Sequence, residues 1–421
     1  MPRRVRLLNA DKPALGALSP GCASCVAGEW LCFYLTPICN ADCFYCANEL
    51  DGAARDYPKS AEGLTLDADR FVEYLRTFSH KGVSFSGGEP LLEFERLLQY
   101  IHLTREATGD RSHVWLYTNG MLLTEDKLCA LQAAGLDEIR FDIAAAGYRL
   151  DPVALARRYV RTVTIEIPAI PEDAPRVKQL LPEMESLGVR HLNLHQLMIN
   201  RRNRVGLASR AYVIAPASES GDVSVVEAST HAAFDVIEHG ARVLEHMGVQ
   251  YCSYEYKRRF QQIGHWRRWS GICREEADHV TRSGLMRRVL IDGVTAGSVW
   301  EALKPAALPN TAVAYYRPEL ERVDGADAEY ATCPVRGRDF GYRPRRALLH
   351  EFTFASAVEV VIFHNLFEHG ADPKTLAAEL AASVQVDAAR SGEIADLVHR
   401  LHDHFAELEW GGREIARTER T

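Results

Sequence analysis

The chain has 421 residues, of which 47% are hydrophobic and 25% charged, with a formal net charge of −8 at pH 7. This length allows two or three domains, and the composition is that of an ordinary soluble globular protein. The negative charge argues against nonspecific nucleic-acid binding, which needs a basic surface. We expect no membrane segment, because no run approaches the roughly 18 apolar residues that a spanning helix needs. We also expect no signal peptide, since no apolar run follows the basic first residues.

The ten cysteines do not form the pattern of a secreted disulfide framework. Six of them lie between Cys22 and Cys46, which is a density typical of metal ligation. The sequence therefore predicts a cytoplasmic protein in a reducing compartment.

From about residue 30, short β-rich runs alternate with amphipathic segments. The predicted strands are Leu31–Thr36, Val83–Phe85, Val114–Tyr117, Glu138–Ile143, Val163–Pro168, His191–Leu197 and Val249–Lys257. The predicted helices are Asp67–Lys81, Leu91–Ala107, Glu125–Ala134 and Ala174–Leu187. Repeated strand–helix–strand units require a parallel sheet with right-handed crossovers. The pattern predicts an α/β fold with a partial or full barrel, whose chemistry lies at the carboxyl ends of the strands.

Four segments are predicted along the chain. They are a cysteine-bearing leader (1–29), the α/β barrel (30–260), a smaller β-containing segment (261–330) and a mainly helical carboxyl-terminal module (331–421). The polar stretch 199–229 is predicted to be a loop or lid. Further predictions are strands at Leu285–Gly293 and Ala312–Tyr316, helical structure from Leu348 onward, and helices at Lys374–Ala382 and Ala388–Leu408.

Three cysteines follow the first predicted strand with the spacing C-x3-C-x2-C, namely Cys39, Cys43 and Cys46. Three thiolates can hold three corners of a cubane iron–sulfur cluster and leave the fourth iron open for a substrate. Zinc is the alternative, but structural zinc sites usually close with four ligands in paired units. The spacing favours an open iron–sulfur site.

The next strand ends in the turn Ser86-Gly87-Gly88-Glu89-Pro90. Paired glycines allow a ligand to approach the backbone closely, and Glu89 adds a carboxylate that could bind an ammonium group. One strand later, Asn119 begins an Asn-Gly turn. Each turn taken alone is typical of an ordinary strand–helix connection.

Together, the cysteine triplet with Tyr45 before its last member and the Gly-Gly-Glu-Pro turn resemble the radical S-adenosylmethionine (SAM) superfamily over roughly residues 30–260. The resemblance implies a [4Fe–4S] cluster on the three cysteines, with SAM chelating the open iron. It also implies that Gly87, Gly88 and Glu89 hold the methionine amine. Such enzymes take one electron, from a reductant such as flavodoxin or ferredoxin, to make a 5′-deoxyadenosyl radical that abstracts hydrogen from the substrate.

Within the superfamily, the likeness is closest to pyruvate formate-lyase activating enzymes and a group related to them. Those enzymes carry an Asp-x-Lys that helps to hold the cofactor, whereas here Asp142-Ile143-Ala144 lacks the lysine. Another basic residue must then lie near the methionine carboxylate. Asn119, Asp142 and Glu166 are candidate contacts for ribose or methionine, with a purely structural role as the alternative for each.

A second cysteine set stands apart from the triplet. Cys22 and Cys25 have a ligand-pair spacing, and Cys252 lies at the end of the last predicted strand of the barrel. We predict a second site on these three, with Cys32 or Cys273 as fourth ligand. It would hold an auxiliary iron–sulfur cluster or zinc, and the remaining alternative is no metal. Cys129, on the apolar face of a predicted helix, is expected in the core.

The substrate is the least determined part of the prediction. The carboxyl-terminal module weakly resembles winged-helix peptide-recognition domains, which favours a peptide or protein substrate. A small-molecule substrate is the first alternative, and activation of a glycyl-radical enzyme is the second. A different class also fits the cysteines, namely a zinc-stabilised binding protein without catalysis. Dependence on cobalamin stays open.

Overall fold

The computed structural model of the chain describes residues 2–8, 12–48, 57–61, 63–216, 223–291, 311–322, 332–333, 338–339, 342–354, 357–383 and 388–410. The chain forms two compact units, Met1–Gly264 and His265–Thr421. Of the helices described, none combines the length and the apolar composition that a membrane span requires.

The first unit alternates strands and helices. Its strands are β1 Val5–Leu8, β2 Lys12–Leu15, β3 Trp30–Thr36, β4 Lys59–Ser60, β5 Gly82–Gly87, β6 His113–Thr118, β7 Glu138–Phe141, β8 Thr162–Pro168, β9 His191–His195, β10 Ile214–Pro216, β11 Ser224–Val226 and β12 Gly248–Cys252. Its helices are α1 Pro20–Val26, α2 Ala68–Phe78, α3 Phe94–Thr108, α4 Glu125–Ala134, α5 Asp151–Ala156, α6 Ala174–Ser186, α7 Arg204–Ala208, α8 Glu227–Val243, α9 Tyr254–Lys257 and the start of α10 Ile263–Cys273.

Ten of these strands form one open sheet in the order β1-β2-β12-β9-β8-β7-β6-β5-β3-β4. Neighbours from β12 to β3 pair in parallel, and antiparallel strands extend the sheet at both edges. The predicted α/β fold with a parallel sheet is confirmed, and within the described residues the sheet does not close into a barrel. Since all seven parallel strands end at one edge, the loops after them lie side by side.

The packing of α2 against β3 explains why these two elements form as the sequence predicts. In β3, Leu31, Phe33 and Leu35 are fully buried and alternate with less buried residues. The Phe33 ring packs 4.6 Å from the Phe71 ring of α2, measured between centroids. Helix α2 begins where the Asp67 side chain accepts a hydrogen bond from the backbone of Arg70. The predicted helix is therefore confirmed, with its end at Phe78.

Three predictions about the first unit are corrected. The strand predicted at Val249–Lys257 ends at Cys252, because Ser253 caps a new helix with its hydroxyl at 3.0 Å from the backbone nitrogen of Tyr256. The stretch 199–229 contains α7, β10 and β11, and α8 begins at Glu227, so it is not simply a loop. Cys129 is exposed, because it lies on the solvent side of α4 between the buried Leu128 and Leu131.

The second unit is an antiparallel sheet with helices. Its main sheet has the order β13-β14-β15-β18, and β16 and β17 form a separate pair. The bounds are β13 His279–Val280, β14 Met286–Ile291, β15 Thr311–Arg322, β16 Thr332–Cys333, β17 Arg338–Asp339, β18 Tyr342–Phe354, α11 Ala357–Phe363, α12 Pro373–Ser383 and α13 Ala388–Trp410.

The helical structure predicted from Leu348 onward is wrong at its start. β18 continues to Phe354, and the first helix begins at Ala357. The reason is that Phe352 and Phe354 pack against Phe405 of α13, which keeps this segment in the sheet. The two later helices are confirmed. Of the strands, Ala312–Tyr316 lies within β15, and the last two residues predicted for Leu285–Gly293 lie outside the described residues.

Candidate active site

The cysteine triplet lies in the loop after β3, at the carboxyl edge of the sheet. Hydrogen bonds fasten this loop to its neighbours. The backbone nitrogen of Glu89 donates to the Ile38 carbonyl at 2.8 Å, and Asn48 Nδ2 donates to the Gly87 carbonyl at 2.8 Å. Asn119 Nδ2 donates to Asn40 Oδ1 at 2.7 Å. The thiols of Cys39, Cys43 and Cys46 are half-buried on a loop that is held at both ends.

The two glycines of the turn are required by this close approach. Gly87 has a φ of +117°, which L side chains rarely adopt. A Cβ on Gly88 would collide with the carbonyl oxygen of Ile38, directly before Cys39. The Gly-Gly turn therefore lets the backbone of the turn lie against the backbone of the cysteine loop.

Glu89 connects two strand ends. Its side chain is 1% exposed, and its carboxylate accepts hydrogen bonds from the backbone nitrogens of Leu91 and Asn119 and from the hydroxyl of Thr118. Burial raises the pKa of this carboxyl, although the hydrogen bonds oppose the shift. Its predicted contact with a methionine amine stays a prediction.

Tyr45 and Asp142 form a pair at the same edge. The tyrosine hydroxyl lies 3.2 and 3.1 Å from the two carboxylate oxygens of Asp142 and donates to them. Burial, followed by the charge of Asp142, raises the pKa of Tyr45. Burial also raises the pKa of Asp142 to about 6, since its backbone and tyrosine hydrogen bonds only partly compensate.

The raised pKa of Asp142 predicts a pH-dependent cost to stability. Folding destabilises the charged form of the Asp142 carboxyl. The resulting decrease in the free energy of unfolding is complete above pH 6 and absent below pH 3.8, the ordinary pKa of an aspartate. We expect Asp142→Asn to raise the free energy of unfolding by about 1–3 kcal/mol at pH 8 and by about half of that at pH 5. Urea denaturation of the metal-free protein measures both values. Asp110→Asn on the surface is the control, and an equal gain from Asp142→Asn at both pH values would contradict the expectation.

A buried charge network lies on the strands behind this edge. Arg140 Nε donates to Glu138 at 2.9 Å, and Arg140 Nη1 donates to Glu166 at 2.8 Å. The other oxygen of Glu166 lies 2.6 Å from Nε2 of His195. Nδ1 of His195 is 2.8 Å from the ammonium of Lys257. The side chains of Arg140 and Glu138 are 3% and 0% exposed, so these charges depend on one another.

Burial and the neighbouring charges shift the pKa values of the residues in this network. Burial would raise the pKa of Glu138, but Arg140 and His113 outweigh it and lower that pKa to about 2. Arg140 and His195 likewise lower the pKa of Glu166 against its burial. Burial lowers the pKa of His195 and of Lys257. Glu166 is thus tied to protein partners, and its predicted contact with the cofactor stays a prediction.

The second cysteine set comes together around Lys12 in the interior of the first unit. The Lys12 ammonium donates to the Cys252 sulfur at 2.8 Å. Burial opposes the charge on Lys12, but the sulfurs of Cys252, Cys22 and Cys25 outweigh it and raise its pKa. Burial raises the pKa of Cys22 and raises that of Cys25 to about 12. We define these three cysteines and Lys12 as the thiol–lysine cluster.

The two residues proposed as fourth ligand lie on β3 and α10. Cys32 is on β3, and five strands separate β3 from the Cys252 strand in the sheet. Cys273 ends α10 in the second unit, where its thiol donates to the Glu319 carbonyl at 3.4 Å. The identity of a fourth ligand stays a prediction.

For either cysteine set to bind a metal, its side chains would have to move. As they stand in the described part of the chain, no three His, Cys, Asp or Glu side chains converge closely enough to hold a metal ion. The donor chemistry nevertheless fits. Burial raises the pKa of Cys43 to about 11, so metal binding must be coupled to release of the thiol protons. The sulfurs of each set must also turn toward a common point.

Several residues at these sites carried no recognisable signal in the sequence. They are Asn40, Asn48, Asn203, Lys12, Gln250, Gln261 and Lys257. Single polar residues in loops and strands are common, and only their contacts distinguish these. Asn203, for example, donates to the carbonyl of Tyr45 at 3.4 Å.

Comparison with known proteins agrees with this geometry. Residues 33–167 match the family described as the Radical SAM superfamily. A curated relative, named "Putative glycyl-radical enzyme activating enzyme MJ0021" of Methanocaldococcus jannaschii, is 28% identical over 206 residues. The match covers 47% of this chain and 54% of the relative, so the chain spans about half of the relative's length. Both findings indicate an enzyme.

Two solved structures, one of them titled a radical S-adenosylmethionine methyltransferase, are similar over part of the chain. The methyltransferase TsrM of Kitasatospora setae has 15% identity and a TM-score of 0.36, over 52% of this chain and 53% of that one. AdoMet-bound anSMEcpe has 16% identity and a TM-score of 0.31, over 39% and 50%. TM-scores this low carry no argument about function.

Proposed function

We propose that this chain reductively cleaves SAM and uses the resulting radical to take a hydrogen atom from a substrate. The observation that carries the proposal is the contact between the cysteine loop and the Gly-Gly-Glu turn, where Gly88 lies against the Ile38 carbonyl. This contact brings three thiols and the backbone of the turn to one edge of the sheet. When bound, a [4Fe–4S] cluster would supply the electron that splits the SAM sulfonium.

The residues of the edge have distinct proposed roles. Cys39, Cys43 and Cys46 would hold the cluster, and Glu89 would keep the turn against β6 while the backbone of Gly87 and Gly88 faces SAM. Asn119, Asp142 and Glu166 are the proposed polar contacts for ribose or methionine. Asp142 also orients Tyr45, which precedes the last cysteine.

The cation missing from the Asp-x-Lys position has a candidate replacement. Arg202, in the loop after β9, is close enough to Cys39 to oppose the rise in the pKa of that thiol. Its neighbours Asn200 and Asn203 hydrogen-bond the cysteine loop, so this segment is fastened to the site. We propose that Arg202 faces the methionine carboxylate.

Anaerobic reconstitution with iron and sulfide tests the main proposal. The wild-type protein should turn brown and, with a one-electron reductant, convert SAM to 5′-deoxyadenosine, measured by liquid chromatography. A flavodoxin or ferredoxin would be the physiological reductant. A colourless protein that carries only zinc would refute catalysis and favour the non-catalytic binding protein.

For the substrate, a peptide or protein is proposed ahead of a small molecule. The name of the curated relative supports this order, since an activating enzyme acts on another protein. Formation of 5′-deoxyadenosine should increase when a peptide or protein encoded beside this gene is added. An increase only with a small-molecule extract would favour the alternative.

The remaining proposals concern the second cysteine set and the compartment. Cys22, Cys25 and Cys252 would hold an auxiliary iron–sulfur cluster or zinc, with Cys32 and Cys273 as the sequence-based candidates for a fourth ligand. The nine cysteines that the structure describes are all free thiols, which supports a cytoplasmic location.

A further inference from the structure

The thiol–lysine cluster has hydrogen bonds that suit anionic sulfur. Each of its three sulfurs accepts at least one N–H bond. Gln250 Nε2 donates to Cys22 at 2.8 Å, Gln261 Nε2 donates to Cys25 at 2.7 Å, and Lys12 Nζ donates to Cys252 at 2.8 Å. Sulfur is a weak acceptor when it is a neutral thiol, whereas metal-bound thiolates are stabilised by such donors. The side chains around these cysteines are therefore arranged for thiolates.

The charges around the three sulfurs also favour thiolates. The Lys12 side chain is 1% exposed, and burial of an unpaired ammonium is costly. Three thiolates around a cluster core retain net negative charge, and the charge increases on reduction. The Lys12 ammonium beside the sulfurs would offset part of that charge.

One polar atom at the cluster lacks a partner. The Oε1 atom of Gln250 is buried without a hydrogen bond, in a side chain that is 4% exposed. The nitrogen of the same carboxamide donates to Cys22, so the oxygen lies beside that sulfur. A buried carbonyl oxygen without a donor is energetically costly. A cation next to Cys22, such as an iron ion, would give this oxygen a partner.

We propose that Cys22, Cys25 and Cys252 bind an iron–sulfur cluster rather than zinc, and that Lys12 sets its charge balance and raises its reduction potential. The inference rests on the second metal site proposed above. Lys12 is on β2 and Cys252 on β12, and these strands are paired neighbours at the edge of the sheet. The hairpin β1–β2 thus supplies the positioning lysine, while α1 and β12 supply the ligands.

A variant without the first cysteine set isolates the second site. After anaerobic reconstitution, Cys39→Ala/Cys43→Ala/Cys46→Ala should stay brown and hold about four iron and four sulfide per chain, against about eight in the wild type. Adding Cys22→Ala, Cys25→Ala and Cys252→Ala should remove the remaining iron. Cys129→Ala, at an exposed cysteine, should leave the iron content unchanged.

The outcomes separate this inference from the proposed function. A first-set variant that is colourless or holds only zinc would overturn the iron–sulfur assignment, as would iron that survives removal of all six cysteines. In either case, a wild type that shows a SAM-dependent change in its electron paramagnetic resonance signal would leave the proposed function intact. A wild type without iron would instead refute the proposed function.

The role of Lys12 has its own test. In the first-set variant, Lys12→Met should shift the reduction potential of the remaining cluster to a more negative value, and Lys12→Arg should restore it. Loss of the cluster in Lys12→Met with recovery in Lys12→Arg would also support the role. Lys178→Met, on the outer surface, is the control. An unchanged potential in Lys12→Met would overturn this part of the proposal.

Discussion

Cys43→Ala should lower the conversion of SAM to 5′-deoxyadenosine to the level measured without protein. Cys43 is the middle ligand of the triplet. A cluster with one open iron needs three thiolates, and this substitution leaves only two. The loop should keep its position, because its attachments are made by Asn40, Asn48 and the backbone at Ile38. Product chromatography after anaerobic reconstitution checks the result.

Two controls make the Cys43→Ala result specific. Cys129→Ala also removes one thiol but from an exposed position on α4, so it should retain wild-type turnover. Cys43→Ala should keep the iron of the second site, which shows that the protein remains folded. Turnover that persists in Cys43→Ala would contradict the assignment of the triplet.

Among the substitutions discussed, replacement of Arg140 should cause the largest decrease in the free energy of unfolding. Arg140→Met keeps much of the apolar stem but leaves Glu138 and Glu166 buried without their shared cation. Removing one partner of a buried ion pair costs about 3–5 kcal/mol, because the remaining charge is uncompensated. The free energy of unfolding, from urea denaturation at pH 7, should fall by that amount.

An exposed arginine provides the matched comparison for Arg140. Arg158 pairs with Glu125, and their side chains are 66% and 53% exposed. Arg158→Met should therefore cost about 0–1 kcal/mol. Adding Glu138→Gln and Glu166→Gln to Arg140→Met should recover part of the lost stability. Equal losses in Arg140→Met and Arg158→Met would refute the importance of the network.

The fold was predictable where periodicity is strong and local. Helix α2 matches because four apolar residues recur on one face, and Glu125–Ala134 matches because Thr124 caps its start and Gly135 ends it. The prediction failed where a distant contact overrides local preference. β18 remains a strand to Phe354 because Phe405, about fifty residues later in the chain, packs against it.

The candidate site, like the fold, was predictable only in its local features. Glu89 could be recognised from its motif, but its hydrogen bonds to Thr118 and Asn119 could not, since they depend on the neighbouring strand end. Glu166 was predicted as a cofactor contact, and the structure shows that three protein groups already share its carboxylate. Sequence position does not reveal how many partners a carboxylate has.

The sequence by itself determined the class of chemistry, because the triplet and the Gly-Gly-Glu turn are short motifs whose spacing the covalent chain sets. Only the tertiary structure decided which distant residues meet. Lys12 and Cys252 are 240 residues apart, and their contact exists because β2 and β12 are paired neighbours in the sheet. The amide donors to Cys22 and Cys25 come from Gln250 and Gln261, which no pattern of spacing marks. The environment of a buried charge is set by packing, so it follows from the order of the strands rather than from the order of the residues.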